Sequence, residues 1–277
     1  ISINRLIIVF DTITIGNKCF IPLTSLSHYS HKSYYTRAMS RRQALLLSSS
    51  CCHGYNMLEF AKEDICNLLN KNKVTDIIFV PYAQYDCERF TTKMRDIIGP
   101  WGYNFVGLNA CPDPEHAVYS AKAIFVGGGN TFLLLKRLYE NNLVKLIKQR
   151  VDEGSLVYIG SSAGSNVATK SIHTTNDMPI IYPPSFEAIG IVPFNINPHY
   201  IEYKDSEIHK GETRDQRILE YMQMPHAAPV LGMREGCILK IEGQSIVVKG
   251  VAGAVLFQKG PQKTDIAIHS DLSYLGN

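Results

Sequence analysis

Between residues 44 and 160 the chain alternates short, wholly apolar runs with stretches whose apolar positions recur every three or four residues. Ala44–Leu47, Ile77-Ile78-Phe79-Val80, Ala123-Ile124-Phe125-Val126 and Leu156-Val157-Tyr158-Ile159 lack the polar alternation of a half-exposed strand. They read as strands buried on both faces, with Phe105-Val106 a further one. Met57, Leu58, Ala61, Ile65, Leu68 and Leu69 fall at helical spacing, and Leu133–Tyr139 and Leu143–Val151 are amphipathic helical pieces. Strands alternating with helices predict an α/β fold: a parallel sheet sandwiched by helices. After about residue 229 the pattern changes to short strands at Val230–Met233, Ile238–Ile241, Ile246–Lys249 and Ala254–Gln258. These predict a C-terminal antiparallel set of hairpins packed on the same body.

Residues 1–38 do not share this pattern. They are rich in Ser, Thr, Tyr and His, poor in acids, and begin with Ile, whereas Met39 leads directly into the first strand. The expectation is a leader, or translated sequence upstream of a start at Met39, poorly ordered and dispensable, followed by one domain over 39–277. At 277 residues, 45% hydrophobic and 19% charged, the chain is globular rather than collagenous, low-complexity or disordered. A formal charge of +3 is too mild to imply nucleic acid or a membrane surface. No apolar run approaches the ~18 residues of a membrane span. Leu6–Phe10 is shorter than a signal-peptide core, and Asp11 follows it. Seven cysteines show no zinc spacing. Cys51-Cys52-His53 is their one cluster, and adjacent residues point different ways, so a partly buried loop is expected there rather than a ligand set. Free thiols fit a reducing compartment, and the expected location is the cytoplasm.

Gly160-Ser161-Ser162-Ala163-Gly164 follows a predicted strand and precedes a predicted helix. In that setting G-x-S-x-G makes a tight elbow that exposes a serine at the carboxyl edge of the sheet, and the N–H of the next residue, Ala163, points where an oxyanion forms. Gly127-Gly128-Gly129-Asn130 lies at another strand's end. It lacks both the dinucleotide fingerprint and the lysine of a phosphate loop, which disfavours nucleotide binding. Gly129 is the natural second oxyanion donor.

A nucleophilic serine needs a base. Of nine histidines, His199 stands out at the end of an apolar stretch, in Asn195-Ile196-Asn197-Pro198-His199, with His173, His209 and His226 as rivals. For the orienting acid, Asp177 and Glu235 both qualify, and both could equally be solvated loop carboxylates. No H-E-x-x-H or carboxylate cluster points to a metal, and no cofactor is expected. The charged run His209–Arg217 reads as a loop entering a helix at Ile218–Met222, with Thr213 or Asp215 near its cap. An Arg fork there would suit a carboxylate.

Five segments, in this order, resemble peptidase E, the aspartyl dipeptidase family of serine hydrolases. They are Val126–Phe132, Tyr158–Asn166, Thr174-Thr175-Asn176-Asp177-Met178-Pro179, Ile196-Asn197-Pro198-His199 and His209–Arg214. The resemblance spans roughly Ser40 to residue 258. It implies a flavodoxin-like sheet, similar to that of class I glutamine amidotransferases, and an enzyme that removes N-terminal aspartate from Asp-Xaa dipeptides. By the same resemblance Ser162 is the nucleophile, His199 the base and Glu235 the acid, with Asp177 second for that place. Gly129 and Ala163 would donate to the oxyanion, Arg214 would hold the aspartyl side chain, and Asn130 would line the same pocket. Ser161 departs from the family pattern, since bacterial members carry Trp before the nucleophile, and this could alter the pocket wall. The expected partner is a small peptide, with no nucleic acid or membrane, bound by a monomer or homodimer. The alternatives are a cyanophycinase-like serine peptidase, whose arginine-rich signature Lys210–Arg217 does not show, and a non-catalytic anion-binding module. An amidotransferase-like enzyme ordinarily needs Cys where Ser162 stands.

Overall fold

The computed structural model of the chain describes residues 41–202, 211–260 and 263–276. The expected leader over 1–38, Met39 and His209 lie outside the described residues. Five strands, β1 (Gln43–Leu47), β2 (Asp76–Val80), β3 (Asn104–Gly107), β4 (Ala123–Val126) and β5 (Val157–Ser161), pair in parallel in the order β3-β2-β4-β5-β1. Their side chains alternate between two cores. Ala44, Leu46, Val80, Ile124 and Tyr158 face one, whereas Leu45, Leu47, Ile77, Phe79 and Ile159 face the other. Burial on both faces is why these strands read as unbroken apolar runs.

Helices cover both faces. α1 (Lys62–Lys71) and α2 (Cys87–Ile98) close one core through Ile65, Leu69, Met94 and Ile98. α3 (Pro114–Ser120), α4 (Thr131–Glu140) and α5 (Leu143–Asp152) close the other through Val118, Leu134, Leu135 and Ile147. The apolar pattern over Met57–Leu69 becomes helical only from Glu59, first as a single 3-10 turn. α2 and α3 have no counterpart in the sequence reading. Their ends are set instead by Asp86 and Asp113, whose carboxylates accept the Arg89 and His116 N–H groups at 3.0 and 2.9 Å.

The C-terminal strands do not form one set of hairpins. β6 (Asn195–Asn197), β7 (Val230–Met233), β10 (Ala254–Phe257) and β11 (Lys263–Ile266) build a second sheet in the order β11-β10-β7-β6. β8 (Cys237–Glu242) and β9 (Ser245–Gly250) instead extend the main sheet antiparallel beyond β1, making it seven-stranded. α7 (Arg214–Met222) lies on the second sheet, where Ile218 packs with Tyr200, Val230, Val255 and Phe257. A four-residue turn, α6 (Ala163–Asn166), follows β5 directly. Among the described residues no helix is long and apolar enough to cross a membrane.

Candidate active site

The carboxyl ends of β1, β2, β4 and β5 meet on one side of the sheet, where open α/β sheets place their sites. Ser162 ends β5 with φ 53° and ψ −110°, the strained turn that G-x-S-x-G permits. A Cβ on Gly160 would stand 2.6 Å from the Gly164 carbonyl oxygen, and one on Gly164 would collide with the Val126 carbonyl. Close strand-to-helix packing therefore dictates both glycines. The elbow is tied down by hydrogen bonds from Ser162 N to Leu47 O at 3.0 Å and from the Tyr158 hydroxyl to Gly164 O at 2.6 Å. Burial pushes the Tyr158 phenol well above its usual range, so it remains a neutral donor.

Ser162 Oγ lies 2.9 Å from His199 Nε2, and His199 Nδ1 lies 2.9 Å from Glu235 Oε1. His199 comes from the end of β6 and itself has φ 53°. Its backbone is held from several sides. The His199 N–H donates to Ser48 Oγ at 3.0 Å, Ser48 Oγ donates to Met233 O at 2.8 Å, and the Tyr200 N–H donates to the same carbonyl at 2.9 Å. Asn176 donates to Pro198 O at 2.5 Å, and Asn197 donates to Thr174 O and Asn176 Oδ1 at 2.8 and 2.7 Å. Glu235 stands in the turn between β7 and β8, with Gly236 at φ 85°. The preceding Arg234 anchors that turn through Glu202 at 2.8 Å and Asp265 at 2.6 Å.

The Gly127–Asn130 loop faces the serine. Gly128 is so close that a Cβ there would sit 3.2 Å from Ser162 Cβ, and a Cβ on Gly129, at φ 138°, would collide with the Ala83 carbonyl. Gly129 and the Ala163 end of the elbow thus flank Ser162 with N–H groups that bond to no acceptor among the described residues. N–H groups left open beside a serine are what an oxyanion hole would be built from.

The remaining expected site residues fall elsewhere. Asp177 does not reach His199: its carboxylate accepts the Thr131 N–H at 2.7 Å and hydroxyl at 2.6 Å, fixing the first turn of α4. Asn130 caps that helix, accepting from Leu133 N at 3.1 Å and donating to Met178 O at 2.9 Å. Arg214 opens α7, behind a capping box made by Thr213 and Gln216. His173 bonds Ser171 at 2.8 Å and packs between Phe186 and Tyr221. Ser161 is buried within β5, so it does not shape a pocket wall.

A cleft of about 520 Å³ opens over Ser162 and His199. Gly128, Gly129 and the Ser49–Cys51 loop border it, with Gln84 against Gly128, and Arg89 and Lys93 of α2 line it as well. Asn130 and Arg214 are not among its lining residues. A larger cavity, about 680 Å³, opens near Tyr221 and His226 and touches none of these groups. Sequence reasoning missed Ser48, Gln84, Arg89 and Lys93. The signal for them is positional, since each follows the carboxyl end of a parallel strand or lies on the next helix. Cys51 borders the cleft, while Cys52 lies beside Glu235; burial, and then that carboxylate, push its thiol up. Among the described residues no three His, Cys, Asp or Glu side chains gather to hold a metal.

The model of peptidase family S51 matches residues 44–249, which contain every residue of this constellation. The chain belongs to peptidase family S51. It is 49% identical over 236 residues to a probable alpha-aspartyl dipeptidase of Drosophila melanogaster, covering 85% of this chain and 98% of the relative. A peptidase E of Streptomyces coelicolor is 43% identical, covering 83% and 93%. In fold, this S51 peptidase is similar to a solved peptidase from an acI-B1 actinobacterium at a TM-score of 0.62 and 16% identity, covering 84% of this chain and 98% of the other. A putative peptidase E of Listeria monocytogenes gives a TM-score of 0.59 at 20% identity, covering 76% and 99%. The resemblance read from five motifs is thus a family membership, and the sheet it implies is the one observed.

Proposed function

We propose that this chain is a serine dipeptidase that cleaves Asp-Xaa dipeptides, working in the cytoplasm on small peptides. The observation that carries the reading is the hydrogen-bonded line from Ser162 through His199 to Glu235, 2.9 Å at each step, on a strained elbow. His199 takes the Ser162 proton as the oxygen attacks the scissile carbonyl, and Glu235 orients the ring and balances its positive charge. The N–H groups of Gly129 and Ala163 receive the oxyanion, each worth roughly 3 kcal/mol in such sites. His199 then protonates the leaving amine, the C–N bond breaks, and an aspartyl ester remains on Ser162. Water, deprotonated by His199, hydrolyses the ester and restores the hydroxyl. The names of the relatives support aspartate as the acyl residue, and Arg214, in a family motif, is assigned to its side-chain carboxylate. The six cysteines of the described residues are free thiols, as a reducing setting keeps them.

A dipeptide panel with Asp, Glu, Asn and Ala ahead of Leu tests the reading. Asp-Leu should be turned over and the neutral series rejected, because a neutral first residue forfeits the charge-assisted pairing of its side chain with a half-buried guanidinium. Ser162→Ala should cost on the order of 10⁴-fold or more in kcat without altering the melting curve. Turnover retained by that variant would overturn the serine mechanism, and preference for a neutral first residue would overturn the substrate.

A further inference from the structure

The α2 wall of the cleft carries two cations that the proposed chemistry does not use. Asp86, Arg89, Phe90 and Lys93 are spaced three or four residues apart, so they form one face of α2, and all four line the cleft that holds Ser162 and His199. The opposite face, Thr91, Met94 and Ile98, is buried in the core. Neither Arg89 nor Lys93 makes an ion pair among the described residues. Like charges one helical turn apart weaken a helix; of the nearby carboxylates Asp86 caps the Arg89 N–H, Glu88 accepts from Asn109, and neither Glu88 nor Asp96 lines the cleft. The wall therefore presents two positive charges against one negative, facing a nucleophile.

We propose that Arg89 and Lys93 bind the terminal carboxylate of the leaving residue and so select dipeptides over longer or blocked peptides. This rests on the Asp-Xaa reading above. The orientation follows from which wall each group belongs to. Arg214 opens α7, which packs on the second sheet through Ile218, and Tyr200, next to His199, donates to Asp215 on the same helix. The aspartyl side chain is directed that way. α2 packs on the parallel sheet through Met94 and Ile98, and the loop before it contacts the oxyanion side, where Asn130 N donates to Ala83 O at 2.9 Å. The leaving residue is directed to that wall. Met57 and Phe90, both lining the cleft, offer its side chain an apolar surface. One residue beyond the scissile bond an Asp-Xaa dipeptide ends in a carboxylate, and a guanidinium fork with an ammonium beside it is the chemistry that recognises one.

The test compares Asp-Leu with Asp-Leu-amide, which lacks only the terminal charge, on the full chain and on Arg89→Gln/Lys93→Gln. The wild type should favour the free acid about tenfold or more in kcat/KM, mainly through KM. The double variant should lose about that factor on Asp-Leu and at most about twofold on the amide, while Arg89→Lys, which keeps the charge but not the fork, should fall between the two. Both side chains are exposed, so a thermal melt should match that of the wild type. A wild type that does not discriminate, or equal losses on the two substrates, would overturn the proposal. If the wild type cleaved neither substrate, the Asp-Xaa reading itself would fall, and this proposal with it.

Discussion

Ser162 and His199 both hold φ near +53°, a region L-residues occupy at a cost of roughly 1–3 kcal/mol each. Leu58, Lys73, Asn142 and His269 also hold positive φ, but Ser162 and His199 are the pair joined by a hydrogen bond, and the packing around Leu47, Gly164 and Ser48 sustains them. Glu235, by contrast, is about half exposed, at 51% of its side chain, so water screens its charge. Its removal should therefore cost less than the ~10⁴-fold lost when a fully buried triad acid is neutralised. Glu235→Gln is expected to lower kcat on Asp-Leu by roughly 10²- to 10³-fold with KM little changed. Asp177→Asn should act on stability instead, by about 1 kcal/mol, because that carboxylate caps Thr131 at the start of α4. Paired kinetics and melts decide the matter: a larger kcat loss in Asp177→Asn would remove Glu235 from its role. Without the family resemblance, which put Glu235 ahead of Asp177, the two acids were indistinguishable in the sequence, since a loop carboxylate gives no periodic signal. Ser162 was readable because the elbow needs glycines at fixed spacing, whereas His199 stood out from His173 only by its place at the end of an apolar stretch, and the fold separates them by bringing Ser162 to one and Ser171 to the other.

At the level of elements, legibility follows burial. The five parallel strands stand out because both faces are covered, so their apolar runs have no polar interruption. α2 escaped because only a thin stripe, Thr91, Met94 and Ile98, is fully buried, and its start is marked by a single cap at Asp86. Of the C-terminal strands β7 to β10 were visible as strands and β11 was not, and the long-range partners were hidden because pairing is non-local: β8 crosses to β1 while β7 and β10 pair with each other. One ion pair helps hold that edge. Lys71, at the end of α1, donates to Glu242 at the end of β8 at 2.7 Å, with Lys240 3.1 Å away. The Lys71 hydrogen bond, with Lys240 beside it, holds the Glu242 carboxyl below its usual range despite partial burial. A carboxyl with a lowered folded-state pKa stabilises the fold fully above the unfolded-state pKa, about 4.5, and loses that contribution as pH falls through the folded value. Glu242→Gln should thus cost about 0.5–1 kcal/mol near neutral pH and progressively less in acid. Urea unfolding of both proteins at pH 7 and below pH 4 checks this, and a gap that widened in acid would refute it.

Across the whole molecule the active site is a joint between two sheets. The proposed nucleophile Ser162 and the proposed oxyanion donors Gly129 and Ala163 follow strands of the parallel sheet, whereas His199 follows β6 and Glu235 follows β7 of the second sheet. Catalysis therefore depends on how firmly the second sheet is seated against the ends of β1 and β5. Ser48 makes the most direct tie. It is fully buried just past β1, and its hydroxyl accepts the His199 N–H while donating to the Met233 carbonyl. Ser48→Ala would leave a buried N–H short of its partner, a loss of about 1–3 kcal/mol. For a chain of this size that lowers the melting temperature by roughly 2–4 °C per kcal/mol. Activity should suffer more than stability suggests, because the freed backbone is that of the base, and a displacement well under 1 Å degrades a near-attack geometry. The expected result is a fall of about tenfold or more in kcat on Asp-Leu at nearly unchanged KM, measured well below the melting transition. Unchanged kcat alongside the lowered melting temperature would show that the tie serves the fold alone, and that Asn176, Asn197 and the Tyr200 N–H suffice to hold His199.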